Sequence, residues 1–365
     1  NGTTTAHDGL RLGETSGSVV GVTGTVTISN SNITVNAHND VHIRNTSGTI
    51  SSFSITNSTI GGFKTPGASP AANAMVFEGS GTSILTAGSI TGSTFSNNSS
   101  ERGLEIQAHD TATVGTFTVS GNMFTNNGIG ASFTQDNSAN ITFKFLNNGT
   151  AVNPLTTNVA NALAMVNVFA SAASTGGTIV GTISGNHIGN AAVTGSGSTT
   201  GNGIRVFGQG KTTVTLLIDG NTIRQTPKAR GIDLQFVGST TGGLGIVSTN
   251  DVTITNNDVA TNGTPADFPL AAIFLAADNQ GSPAKVRANI HDNTVPATAN
   301  TFDYPTFDGS DAQLIYVELG GATAELVDNA PGSATALAEL QSHNTGAMYA
   351  DPGVALIAGP ITTPP

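Results

Sequence analysis

The sequence contains no cysteine and no tryptophan, and of its 365 residues only 10% are charged and 5% aromatic. Without cysteine there is no disulfide framework, no zinc–thiolate site and no thiol nucleophile. Twelve Lys and Arg stand against 23 Asp and Glu, a net charge of −11. The basic footprint of a nucleic-acid binder is therefore missing. No apolar run approaches the roughly 18 residues of a membrane helix, so no membrane insertion by this segment is expected. The space is filled by 54 Thr, 46 Gly and 35 Asn. Disordered chains are poor in β-branched residues, whereas this one is rich in Val, Ile and Thr, which suit a pleated, half-buried surface. A folded all-β chain is expected. Its composition suits an extracellular or cell-surface protein, and a start without Met or leader suits either a removed signal or a segment of something longer.

A six-residue pattern recurs along the chain: apolar, any, Asn/Gly/Asp, Ser/Asn, any, apolar. It appears as "ISNSNI" from Ile28, "ITNSTI" from Ile55, "ITGSTF" from Ile90 and "VSGNMF" from Val119. A degenerate "FLNNGT" starts at Phe145, followed by "ISGNHI" from Ile183, "IDGNTI" from Ile218, "ITNNDV" from Ile254 and "IHDNTV" from Ile290. The tenth copy is "LVDNAP" from Leu326, with Pro331 in place of its second apolar residue. Successive starts lie 27, 35, 29, 26, 38, 35, 36, 36 and 36 residues apart, the period of a solenoid. A second short strand recurs between the motifs, as in "GLEIQA" at Gly103, "GIRVFG" at Gly203 and "GIDLQF" at Gly231.

The third motif position holds only Asn, Gly or Asp, the residues that tolerate the left-handed backbone of a sharp bend. The fourth holds Ser31, Ser58 and Ser93, then Asn122, Asn148, Asn186, Asn221, Asn257, Asn293 and Asn329. Identical amides stacked in neighbouring coils can bond one another as a ladder. The first and sixth positions point into the core. These columns describe a parallel β-helix of about ten to eleven coils, spanning residues 1–330. Residues 331–365 are expected to form a final irregular coil or short capping helix and a Pro-rich tail. Within them "SATALAELQSHNTG" reads as a helix with Ser333 as N-cap and Asn344 or Gly346 as stop. "NVANALAMVNVFASAA", from Asn158, reads as a strand by its alternation at Val166, Val168 and Ala170.

With "GIRVFG" followed by "IDGNTIRQT", the chain resembles the right-handed parallel β-helix repeat family, of pectate-lyase-like fold. That resemblance implies the fold over residues 9 to about 330. It leaves activity open, because the scaffold hosts pectin-degrading lyases and hydrolases, phage tailspikes and bacterial surface passengers. The hydrolases' "NTD", "DD", "GHG" and "RIK" are missing here, so no catalytic residue carries over. The chain is most similar to the non-catalytic adhesin passengers.

Aligning the second strands puts Arg11, His42, Glu105, Arg205, Asp233, Phe274 and Tyr316 in one outward column. Glu105 and Asp233 lie several coils apart, too far for a paired-carboxylate glycosidase. Arg205 and Asp233 sit on adjacent coils and read as a surface ion pair. The acidic, aromatic segment "FDYPTFDGSD" offers Asp303, Tyr304, Asp308 and Asp311 as a Ca²⁺ or glycan contact, with Phe274 and Tyr316 as further glycan platforms. No other metal or cofactor is implied. The open strands at the two ends suit head-to-tail self-association, a host or matrix polysaccharide suits the outer face, and the tail "GPITTPP" suits a linker or a strand-adding arm. The expected function is a non-enzymatic stalk or fibre subunit; the alternative is a polysaccharide lyase, hydrolase or carbohydrate-binding module.

Overall fold

The computed structural model describes residues 8–13, 21–34, 38–62, 73–99, 101–157, 162–238, 248–261, 271–278, 284–295, 315–320, 323–328, 333–346, 348–350, 353–358 and 360–364. Two eleven-stranded, all-parallel sheets dominate it. Sheet 1 runs from Leu10–Leu12 through Arg102–Ala108 and Asn202–Gly208 to Met348–Ala350; sheet 2 runs from Gly24–Ser29 through Thr213–Asp219 to Ala355–Ile357. The chain alternates between them, so each turn contributes one strand to each sheet, and eleven coils result. A third set of two- and three-residue strands closes the triangle, from Asn32–Ile33 to Asp258–Ala260. Isolated bridges at Leu155, Thr156, Thr294 and Thr345 link and extend it. This is a parallel β-helix.

The bend column behaves as its residue types require. Asn30, Asn57, Gly92, Gly121, Asn147, Gly185, Gly220, Asn256 and Asp292 all have φ between 48° and 67°. Immediately after each bend the fourth-position side chain turns inward. Asn122 Nδ2 donates to Asn148 Oδ1 at 3.1 Å, and Asn148, Asn186, Asn221 and Asn257 continue the row at 2.9–3.0 Å. Each Oδ1 also accepts the backbone N–H of the preceding rung, and each Nδ2 also donates to a carbonyl one coil further back, as Asn221 does to Ile183 O. Between coils the serine oxygens act as acceptors, Ser31 N–H donating to Ser58 Oγ and Ser58 N–H to Ser93 Oγ, while each serine hydroxyl donates only within its own coil, to the carbonyl two residues earlier. A full amide both donates and accepts, so the ladder is stronger where it is Asn than where it is Ser.

The tenth coil departs from the expected alignment. Leu326 pairs with Ala288 rather than with Ile290, two residues out of step with the motif. Asn329 lies outside the described residues. The rung below Asn293 is Asn344, whose Oδ1 accepts from Asn293 N at 3.0 Å and Nδ2 at 2.9 Å. A helix, Ala336–His343, is inserted ahead of it. The N-cap is Thr335, whose Oγ1 accepts from Ala338 N, and not Ser333, which donates to Glu339 Oε2. Asn344 thus serves as helix C-cap and ladder rung together. The helix does not end the rod, because Met348–Ala350 and Ala355–Ile357 still add a strand to each long sheet. The degenerate fifth motif has a similar cause. Residues 150–154 bulge out, and Leu155 fills the apolar place that Thr150 vacates, bridging to Ile188.

The core is a single continuous column. Ile28, Ile55, Ile90, Val119, Phe145, Ile183, Ile218, Ile254 and Ile290 follow one another in register, all buried. In the earlier coils aromatic rings fill the width: Phe133 stacks on Phe143 at 3.9 Å and Phe95 on Phe124 at 5.0 Å. Gly88 and Gly181 make room for them, since a Cβ at either position would fall inside the Phe117 or Phe143 ring. The segment Ala164–Ala170 is a strand of sheet 1, as its alternation predicts.

Candidate functional site

Alternation along each sheet 1 strand sends every second side chain outward, and the strand register stacks these into columns. One runs Arg11, His42, Val76, Glu105, Ser132, Asn167, Arg205, Asp233, Phe274, and the backbone register continues it to Tyr316 and Tyr349. It contains every residue of the predicted column, in the predicted order. Glu105 and Asp233 are four strands apart, roughly 19 Å at the usual strand spacing. Beside it lies a second outward column of Arg44, Glu78, Gln107, Thr134, Phe169, Phe207 and Gln235.

Three polar groups occupy this face. In the first coils Asp8 bonds His38 Nδ1 at 2.5 Å, Arg11 at 3.0 Å and Asn39 N at 3.1 Å, while Glu78 bonds Arg44 at 2.9 Å. His42 stands between the two acids, 3.4 Å from Asp8 Oδ2 and 3.7 Å from Glu78 Oε2. Both its ring nitrogens are buried without a hydrogen-bond partner. Burial works to raise the Asp8 carboxyl, but the His38 hydrogen bond and the charges of His38, His42 and Arg11 outweigh it and hold it below its ordinary value. At Glu78, burial is likewise outweighed by the adjacent His42 ring and by the charges of Arg44 and His109.

Depressed carboxyls stabilise the fold above their unfolded pKa and lose that contribution as pH falls through the folded value. Exchange protection of Leu10–Leu12, Val41–Asn45 and Met75–Gly79 is therefore expected to fall on acidification below about pH 4. Asp8→Asn together with Glu78→Gln should flatten that dependence, as hydrogen exchange measured from pH 3 to 7 will register. An unchanged profile in the double variant would contradict the assignment. Glu101 has the opposite sign. Burial, partly offset by Arg102 and reinforced by Glu105, raises its carboxyl, so its contribution is present in acid and lost as pH rises.

The second group centres on Glu105, 4% exposed, with Oε1 3.1 Å from Arg102 Nε and Oε2 accepting from Asn73 Nδ2 at 2.9 Å. The third centres on Asp233, also 4% exposed. Its Oδ1 pairs with Arg230 at 2.6 Å, while Asn202 and Gln235 donate to the carboxylate at 3.1 Å. The expected surface pair of Asp233 with Arg205 is thus replaced by a buried pair with Arg230 of its own coil. Arg205 turns instead to Asn167 Oδ1 at 3.2 Å. Phe274 is covered by the Arg230 guanidinium, 3.5 Å above its ring, and at 7% exposure offers no open platform. Tyr316 follows it in register, while Asp303, Tyr304, Asp308 and Asp311 lie outside the described residues.

Among the described residues, sheet 2 borders a polar cavity of about 460 Å³, lined by Thr213, Thr215, Ser248, Asp251 and Arg287. Asp251 and Arg287 pair through two hydrogen bonds, 2.7 and 2.5 Å long. Thr362 N donates to Asp251 Oδ2 at 3.2 Å, and Ile361 is buried. The predicted free arm therefore straps back over the rod's own sheet 2. Sequence reading missed this pair, although the two residues are 36 apart, one coil period. It also missed a second ladder at the entry to sheet 1, where Asn39 N donates to Asp8 Oδ1, Asn73 N to Asn39 Oδ1 and Arg102 N to Asn73 Oδ1. Among the described residues no three His, Asp or Glu side chains converge as metal ligands. No family model, curated protein or solved structure matches the chain.

Proposed function

We propose that the chain is a rigid structural rod of an extracellular or cell-surface protein, an adhesin-like stalk or fibre subunit that holds other parts at a fixed distance. The observation that carries this reading is the hydroxyl and amide ladder, unbroken from Ser31 to Asn344. The ladder runs through successive coils beside a continuous core, so each coil is braced by its neighbours. Eleven coils at the strand spacing give a rod roughly 50 Å long. The sparsely charged, mildly acidic, hydroxyl-rich composition suits a protein that meets polymers and water rather than one fixed partner.

The test pairs immunogold labelling of whole cells with electron microscopy of the purified chain. Label at the cell exterior and straight rods of uniform length are expected; multiples of that length would add end-to-end association. Label confined to the cell interior would overturn the reading. So would release of reducing ends or unsaturated products from pectin- or alginate-like polymers, which would establish the competing reading, a polysaccharide lyase or hydrolase.

A further inference from the structure

All seven arginines lie among the described residues. Six of them hold a carboxylate at 3.1 Å or closer. Arg205 is the exception, in a chain with nearly twice as many acids as bases. Its register partner on the next strand, Asp233, has both oxygens committed to Arg230, Asn202 and Gln235. Arg205 keeps one hydrogen bond, to the neutral amide of Asn167, out of five N–H donors. Its half-buried setting makes that costly, because a charge withdrawn from water is stabilised only by a partner. Burial, offset in part by the Asp233 charge, indeed lowers its pKa.

The surroundings give the missing partner a shape. The Arg205 guanidinium stands 4.9 Å from the centre of the Phe207 ring. Phe207 in turn stacks on Phe169 of the preceding coil, 6.1 Å away and tilted by 22°. Both rings belong to the outward column of sheet 1 and are half-buried, so they form a flat apolar step beside the cation. Gln235 follows Phe207 in the same column, and Thr134 precedes Phe169. A guanidinium fork matches a planar carboxylate through two parallel hydrogen bonds.

We propose that Arg205 is an anion site on the outer face of sheet 1, binding a carboxylate carried on a ring whose flat face lies on Phe207 and Phe169. Two sources share that chemistry, an acidic sugar and an aromatic acid. The site is independent of the rod function: a bare stalk has no use for it, and a stalk with it gains a grip.

The experiment titrates the full chain with sodium glucuronate and sodium benzoate, with glucose and benzyl alcohol as uncharged counterparts, and follows binding by calorimetry and ring-proton shifts. Binding of at least one acid, with shifts at Phe169 and Phe207, is expected, and the acid preferred identifies the source. Charge-assisted hydrogen bonds are worth about 1.5–3 kcal/mol, so Arg205→Gln should weaken binding by roughly ten- to a hundredfold. Arg205→Lys should recover part of the loss. If neither acid binds, if the uncharged counterparts bind as well, or if a folded Arg205→Gln binds like the unmodified chain, the site is refuted. The ring-proton shifts are read on the unmodified chain, so they decide the matter even if a variant fails to fold.

Discussion

Asn221→Asp is expected to destabilise the rod by about 3–5 kcal/mol at neutral pH, the range for a buried charge stripped of its partner, and to regain part of that loss in acid. Asn221 is 1% exposed. Its Oδ1 accepts from Asn186 N at 3.1 Å and Nδ2 at 2.9 Å, and an aspartate oxygen preserves that half. Its Nδ2 donates to Asn257 Oδ1 and Ile183 O at 2.9 Å and to Asp219 O at 3.2 Å. A carboxylate would turn a bare, charged oxygen towards those three oxygens in a buried site. Burial and oxygen neighbours raise the folded pKa above the unfolded value of about 3.9. The protonated acid can donate one bond again, so the folded state recovers at low pH and is weakened as pH rises through the folded pKa. Urea midpoints at pH 4, 5.5 and 7 check this. A variant as stable as the parent at pH 7, or equally weak at all three, would show that the ladder is not held by directed hydrogen bonds. The serine end of the ladder should be far more tolerant. Ser58→Ala removes one acceptor for Ser31 N and one bond to Thr56 O, for about 1–2 kcal/mol.

The contrast between these positions also explains which parts of the molecule were legible in the sequence. Where the interval stays near 36 residues, a column in the sequence is a column in space. Asn186, Asn221, Asn257 and Asn293 therefore read directly as neighbours, whereas Arg205, Asp233, Phe274 and Tyr316, which are 28, 41 and 42 residues apart, align through the pattern of their strands and not through the interval. The tenth coil breaks the interval. A residue re-enters the stack there after an inserted helix, and backbone closure, not motif spacing, selects Asn344. Asn344 also caps the helix's last turn, donating from its own N–H to Leu340 O at 3.1 Å, a dual role invisible to a six-residue pattern.

The candidate face was half legible for a related reason. Column alignment places the outward acids, but their partners come from the corner three residues earlier. Asp8 and Arg11, Arg102 and Glu105, and Arg230 and Asp233 are all ion pairs at that spacing. The three-residue spacing is visible in the sequence, but aligning strands compares charges between coils and not within one. Arg205 has Asn202 at that corner, which already serves Asp233 and Arg230 N. The same local rule that neutralises the other outward charges leaves this one open.

Deleting residues 220–255 is expected to give a folded rod one coil shorter, whereas deleting 220–237 is expected to abolish cooperative folding. The first deletion removes one full period. Asp219 and Thr255 are register partners, so joining Asp219 to Asn256 recreates a junction the chain already uses. Asn256 brings a left-handed bend, φ 54°, in place of Gly220 at 63°. Asn186 then meets Asn257 where it had met Asn221, and Ile218 meets Ile290 where Ile254 had stood. The buried ions leave as a pair, since Arg230 and Asp233 are both removed. Arg287 loses Asp251, but its side chain is 32% exposed and water can replace the partner. The shorter deletion takes the corner strand Thr222–Arg224 and the sheet 1 strand Ile232–Val237 but leaves Ser248–Thr255. Sheet 2 then has one strand more than sheet 1, and every later coil must pair out of step. Stability in a solenoid is the sum of coil and neighbour-interface terms. Loss of a whole unit therefore costs one interface, while loss of half a unit removes the match at every interface beyond it. Urea melts by circular dichroism and solution scattering distinguish the outcomes: a sigmoidal transition and a rod shorter by about 5 Å for the first, and no cooperative transition for the second. A half-coil variant melting as sharply as the whole-coil one would mean that the coil is not the folding unit of this protein.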